Sequence, residues 1–200
     1  MQPRRVEILK RETVFQGYFR IDRYQLRHEQ FAGGLGAPVS REVFERGQVA
    51  AVLPIDPRAE KVVLIEQFRP GAWAAGSDPW LIECVAGVIE QGEVAAEVCI
   101  RETREEAGLL ICDLVQIVPP YLSSPGACSE TVALFCGRVD ASSAQGLHGL
   151  ADEGEDIRVS TWTFDEALQL LDEGRIVNSK TIIALQWLAL NRHTFAERWP

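Results

Sequence analysis

The stretch GVIEQGEVAAEVCIRETREEAGL, residues 87–109, decides the fold. Residues 93–107 contain neither glycine nor proline, and Gly108 follows where a helix ends in the left-handed conformation, so the stretch predicts a helix over 93–107. On that helix Glu102, Glu105 and Glu106 stand at i, i+3 and i+4, within an arc of about 100°. Ala96, Ile100, Thr103 and Ala107 fall on a different face of mostly small residues. The expectation is a helix packed on a sheet by that face, with its carboxylates turned into a cleft. Like charges at this spacing repel. A hard divalent cation, bound by carboxylates, backbone carbonyls and substrate phosphates, would offset the repulsion.

Outward from the helix, apolar runs at 49–55 (VAAVLPI) and 62–68 (VVLIEQF) flank a turn built on Asp56, Pro57 and Arg58 and read as paired inner strands. Residues 80–85 form another short run, and 87–92 a break. Strand-like segments recur at 114–118, 131–139 and 157–163. Two helices close the chain, one over 164–172 before Gly174 and one over 179–191 after a capping Asn178. Upstream, residues 6–28 are rich in Val, Ile, Phe and Tyr, with a phase slip between Ile21 and Tyr24 that predicts strands with a bulge. The glycine-rich FAGGLGAP follows at 31–38. Residues 1–46 are therefore expected to be a small antiparallel β extension, too short to hold a core alone, and 47–200 the main domain. The fold class is α+β, and a homodimer that covers the extension is the expected assembly.

The 200 residues carry a formal charge of −9, from 29 acidic against 20 basic residues, which argues against a nucleic-acid partner. No apolar run approaches the roughly 20 residues of a membrane span. The five cysteines are odd in number and form no C-x-x-C pair, so neither a disulfide framework nor a zinc cluster is indicated. They are expected to be small buried hydrophobes. MQPRRVEILKRE has no apolar stretch of signal-peptide length, which points to the cytoplasm.

A glutamate triplet alone is what any solvated helix face shows. The spacing around it is more specific. Gly87, five residues, Glu93, seven residues, Arg101-Glu102, two residues, Glu105-Glu106, one residue, then Gly108-Leu109 resembles the signature of the Nudix hydrolases from end to end. The seven identities other than Leu109 would coincide on the order of once in 10⁸ windows at average residue usage. Thr103 stands where the family usually has an aliphatic residue. The resemblance implies a mixed β-sheet sandwich flanked by helices. It also implies that Glu102, Glu105 and Glu106, with the carbonyl of Ala86, hold two or three Mg²⁺ or Mn²⁺ ions against a diphosphate. Gly87 would let the backbone turn a carbonyl toward the metal, and Arg101 would pair with the carboxylates and orient them.

Further features resemble the ADP-ribose pyrophosphatases within that family: Pro125, sixteen residues after Leu109 in YLSSPGACSE, and the stretches SREVFERG, IEQFRP, GLADEGEDIRV and IALQWLAL. By that resemblance Arg41 and Arg69 are candidates for gripping phosphate or the terminal ribose, because a guanidinium offers paired planar donors. Tyr18 would stack on adenine from an extension that can reach the partner subunit, and Glu130, which closes YLSSPGACSE, is a further substrate-binding candidate. In DEGED, residues 152–156, Glu153 would be the general base toward the attacking water, with Glu155 its rival, and Glu105 and Glu106 would complete the catalytic set. The substrate class is a small nucleoside diphosphate sugar. ADP-ribose, cleaved to AMP and ribose 5-phosphate, is the first expectation. GDP-mannose or a related compound is the second, and a nucleotide-sensing module without hydrolysis the third. The three glutamates argue against the third.

Overall fold

The computed structural model describes residues 4–199. Two units divide them. The smaller comprises residues up to Gly47 together with 122–131, and the larger comprises 48–121 and 132 onward.

In the smaller unit β1 (Val6–Gln16), β2 (Arg20–His28) and β3 (Val39–Glu45) form an antiparallel sheet in the order β1-β2-β3. The register slips twice on β1, between Ile8 and Lys10 and between Thr13 and Phe15, so the bulged residues are Leu9 and Val14. The phase slip expected between Ile21 and Tyr24 is absent: β2 pairs with β3 without interruption over Arg20 to Leu26. A three-stranded sheet has little apolar interior, and here cross-strand ion pairs replace it. Asp22 is buried and takes Arg11 through Nε at 2.9 Å and Nη2 at 2.6 Å, with Thr13 donating at 2.8 Å. Arg23 pairs with Glu42, Arg27 with Glu7, and Tyr24 donates to Glu45. Segment 122–131, which sequence alone assigns to the main domain, is tied to β3 by the Phe44 N–H on the Ala127 carbonyl and by the Ser129 N–H on the Phe44 carbonyl. Val6, Ile8, Leu9 and Phe15 are left exposed on β1.

The larger unit follows in chain order as β4 (Gln48–Asp56), β5 (Lys61–Phe68), α1 (Pro70–Ala74), β6 (Trp80–Glu83), β7 (Val85–Ile89), α2 (Ala95–Ala107), β8 (Asp113–Leu122), β9 (Thr131–Arg138), β10 (Gly146–His148), β11 (Ile157–Thr163), α3 (Phe164–Asp172), α4 (Ser179–Asn191) and α5 (Phe195–Arg198). The sheet order is β10-β11-β5-β4-β9-β8, with β6 added on β5 and β7 on β4. Side chains alternate between its two faces. Val49, Ala51, Leu53 and Ile55 of β4, with Val62 and Leu64 of β5, join Ala167, Leu170, Leu185 and Leu188 of α3 and α4. Ala50, Val52, Val63 and Ile65 join Val98, Cys99 and Ala107 of α2 on the other face. The mixed sheet is thus held between helices, an α+β architecture. Burial on both faces is why these strands read as near-continuous apolar runs.

Asn178 caps α4 by accepting from the Thr181 N–H at 3.1 Å, and Thr163 forms a capping box with Glu166 at the start of α3. The break expected over 87–92 begins later, because β7 continues through Gly87 to Ile89. The cysteines divide: Cys84, Cys99 and Cys136 are buried, Cys128 is half-buried and Cys112 is exposed. Burial raises the Cys84 thiol to about 11 and the Cys99 thiol to about 12. No helix among the described residues is long and apolar enough to cross a membrane.

Candidate active site

Helix α2 buries Val98, Cys99, Thr103, Glu106 and Ala107. Ile100, expected on the packing face, is 45% exposed. The buried stripe instead runs through Cys99, Thr103 and Glu106 at i, i+4 and i+7, which carries one of the three glutamates inward. Thr103, out of place in an aliphatic slot, is accommodated because its hydroxyl donates back to the Cys99 carbonyl at 2.7 Å.

Glu106 is 2% exposed, and among the described residues it has no direct ion pair. Its Oε2 accepts the Ala86 N–H of β7 at 3.1 Å, and Gln67 of β5 reaches its Oε1 at 3.5 Å. Desolvation raises the Glu106 carboxyl to about 8, and the charges of Glu102 and Glu155 add to the rise. Glu102, half-buried, is raised as well, by desolvation and then by Glu105 and Glu155 against the opposing pull of Arg101. The Arg101 guanidinium lies 2.9 Å from Glu102, 3.1 Å from Glu105 and 3.6 Å from Glu93. Glu93 in turn accepts the Glu90 N–H at 2.8 Å. One arginine therefore spans three of the signature carboxylates.

Gly87 serves differently from the expectation. Its φ is outside the left-handed region, and the need for glycine is one of space: a Cβ there would lie 1.9 Å from Glu102 Oε1 and 2.3 Å from its Cδ. The glutamate side chain rests against bare backbone. The carboxylates of α2 and the backbone of Ala86 and Gly87 thus form one cluster. Its donor set, three glutamates and peptide groups with no sulfur or imidazole, suits a hard divalent cation. Among the described residues no three acidic, His or Cys side chains already converge as a complete cage.

Arg69, just beyond β5, is held by Glu83, with Nε 2.6 Å from Oε2. Its positive charge opposes the rise of the Glu106 carboxyl. Glu83, 3% exposed, and Gln67, 6% exposed, were not singled out by sequence. The signal for Glu83 was an acidic residue inside the apolar run 80–85, where an unpaired charge is not tolerated.

In the DEGED loop Glu153 is exposed, and among the described residues its carboxylate takes no hydrogen bond. Glu155 is half-buried, and its Oε2 accepts the Leu150 N–H at 3.1 Å. The Gly149 N–H meets the Glu105 carbonyl at 3.3 Å, so the loop is fastened to α2. Three candidates lie in the smaller unit. Tyr18, 92% exposed, occupies the β1–β2 turn with Phe19 edge-on at 4.8 Å. Arg41 is on β3, where it donates to the Ser40 carbonyl. Glu130 lies 3.7 Å from the Arg46 guanidinium.

A family model described as the NUDIX domain matches residues 45–185, and the ADP-ribose pyrophosphatase of Escherichia coli (strain K12) is 47% identical over 194 residues, covering 97% of this chain and 92% of its own. This chain belongs to the NUDIX family. The GDP-mannose pyrophosphatase of Cronobacter sakazakii (strain ATCC BAA-894) is 36% identical over 189 residues, covering 92% of this NUDIX protein and 95% of its own length. The crystal structure of an ADP compounds hydrolase aligns with a TM-score of 0.72 at 20% identity, over 97% of this chain and 96% of that one, a likeness of fold. In this NUDIX protein the matched region begins within three residues of the division at Gly47.

Proposed function

We propose that this NUDIX protein hydrolyses the diphosphate of ADP-ribose to AMP and ribose 5-phosphate, as a cytoplasmic homodimer. The observation that carries this reading is the 47% identity, over nearly the whole of both chains, to a protein named ADP-ribose pyrophosphatase. Glu102, Glu105 and Glu106, with the carbonyl of Ala86, would hold two or three Mg²⁺ or Mn²⁺ ions. When bound, such ions neutralise charge on the diphosphate and lower the pKa of an attacking water.

The protein's own groups have separable parts in the reaction. A water oxygen bonds to one phosphorus, the bridging P–O bond breaks, and one water proton leaves to a base. Glu153 is the proposed base, since its exposed carboxylate is unengaged, whereas Glu155 braces its own loop through Leu150. Glu106 is buried without a counter-ion and supplies negative charge where cations are to be bound. Arg101 keeps Glu102 and Glu105 in register. Arg69 and Arg41 grip phosphate or the terminal ribose, Glu130 contacts the substrate, and Tyr18 stacks on adenine from the extension of the partner subunit. The exposed apolar row on β1 supports a dimer that covers it.

GDP-mannose is the second reading, favoured by the 36% identity to a protein named for it. Product analysis from ADP-ribose, GDP-mannose and NADH with added Mg²⁺ separates the two. Release of AMP and ribose 5-phosphate at the highest kcat/KM is expected, and a preference for GDP-mannose would replace the first reading with the second.

A further inference from the structure

The Glu83 carboxylate is buried at the junction of β6 and β7, and its neighbours are clamped from behind. Asn178 Nδ2 donates to the Ile82 carbonyl at 2.9 Å, and the Cys84 N–H donates to Thr181 Oγ1 at 2.8 Å. Both clamps come from the capped start of α4, and Thr181 is fully buried. The backbone on each side of Glu83 is thereby fixed, and its side chain takes Arg69 Nε at 2.6 Å. A guanidinium has five N–H donors. With Nε committed to Glu83, the four donors of the two Nη groups take no protein partner among the described residues. Among the described residues Arg69 forms no ion pair with the buried Glu106.

We propose that Glu83 is a positioning residue: it anchors Arg69 by Nε and leaves both Nη groups to a substrate phosphate. Without Glu83's charge the guanidinium would lose that anchor, and its fork would no longer be held for substrate. This deepens the reading that Arg69 grips a phosphate of the diphosphate, and it rests on that reading.

The test is a double-mutant cycle on the full chain in saturating Mg²⁺, with kcat and KM for ADP-ribose measured for wild type, Glu83→Gln, Arg69→Ala and the double variant. Calorimetric titration of ADP-ribose in EDTA accompanies each, to read substrate binding without turnover. Glu83→Gln is expected to raise KM and weaken binding roughly tenfold while kcat changes by less than about threefold, and the double variant should be no worse than Arg69→Ala. An unchanged KM, a loss confined to kcat, or the same tenfold loss repeated on the Arg69→Ala background would each overturn the proposal. If Arg69→Ala unfolds, Arg69→Lys takes its place in the cycle, because a single ammonium cannot both pair with Glu83 and offer a planar fork. If wild type leaves ADP-ribose intact, the substrate reading has failed by itself, and the same cycle run with GDP-mannose still decides the role of Glu83.

Discussion

Glutamine in place of Glu106 should make the metal-free protein more stable while disabling it. The Glu106 carboxyl is raised to about 8 from an ordinary 4.5 because burial opposes its charge. Between those values the folded protein keeps a proton that the unfolded chain has released, so stability is lost as pH rises through the window. At about 1.4 kcal/mol per pH unit the full window corresponds to roughly 4–5 kcal/mol, and relaxation of the site reduces the observable effect to about 2–3 kcal/mol. Glutamine does not titrate, yet its carbonyl can still accept the Ala86 N–H and its amide can face Gln67. The assay is urea unfolding in EDTA, from pH 5 to pH 9, for wild type and Glu106→Gln, with the m-value as the check that the transition stays two-state. The two proteins should lie within about 1 kcal/mol of each other near pH 5, with the variant about 2–3 kcal/mol more stable near pH 9. Added Mg²⁺ should reverse the order, because a ligand bound only by folded wild type stabilises it. Parallel pH curves for the two proteins would refute the reasoning, since they would mean that Glu106 carries no uncompensated charge.

Gly87→Ala should leave the fold intact but displace Glu102, lowering kcat/KM by roughly 10²-fold, as for a catalytic group moved by about 1 Å, and a wild-type rate would show that Glu102 is not needed where it lies. Glu153→Gln should lower kcat by roughly 10²–10⁴-fold with KM little changed, and Glu155→Gln should cost less; the reverse order in steady-state kinetics would move the base to Glu155. Asn178→Ala removes both the cap of α4 and the clamp on Ile82, and should cost about 1–2 kcal/mol in urea unfolding. A chain lacking residues 1–47 should be monomeric by light scattering and poorly active, because it loses both the β1 face and Tyr18; a dimeric, fully active truncation would contradict the assigned role of the extension.

Local periodicity and end signals were enough for the longer helices and the inner strands. The helix ended by Gly108, the capping Asn178 and the alternating runs of β4 and β5 are properties of residues a few positions apart, and the backbone obeys them wherever the segment lies. The acidic signature and the family likewise follow from spacing along one helix. What lay beyond reach depends on which strand meets which. Gln67 meets Glu106 across 39 residues and Cys84 meets Thr181 across 97, pairings that no periodicity encodes. The rotation of α2 about its own axis was decided by the sheet it packs on, which buried Glu106 and exposed Ile100. Sequence points to backbone freedom as the reason for Gly87, whereas the structure leaves no room there for a Cβ beside the Glu102 side chain, a contact that exists only once α2 is laid against β7. Sequence supplied the charges of the site. The tertiary structure decided which of them lost their water, Glu106 most and Glu102 in part, and so which have their proton affinity raised.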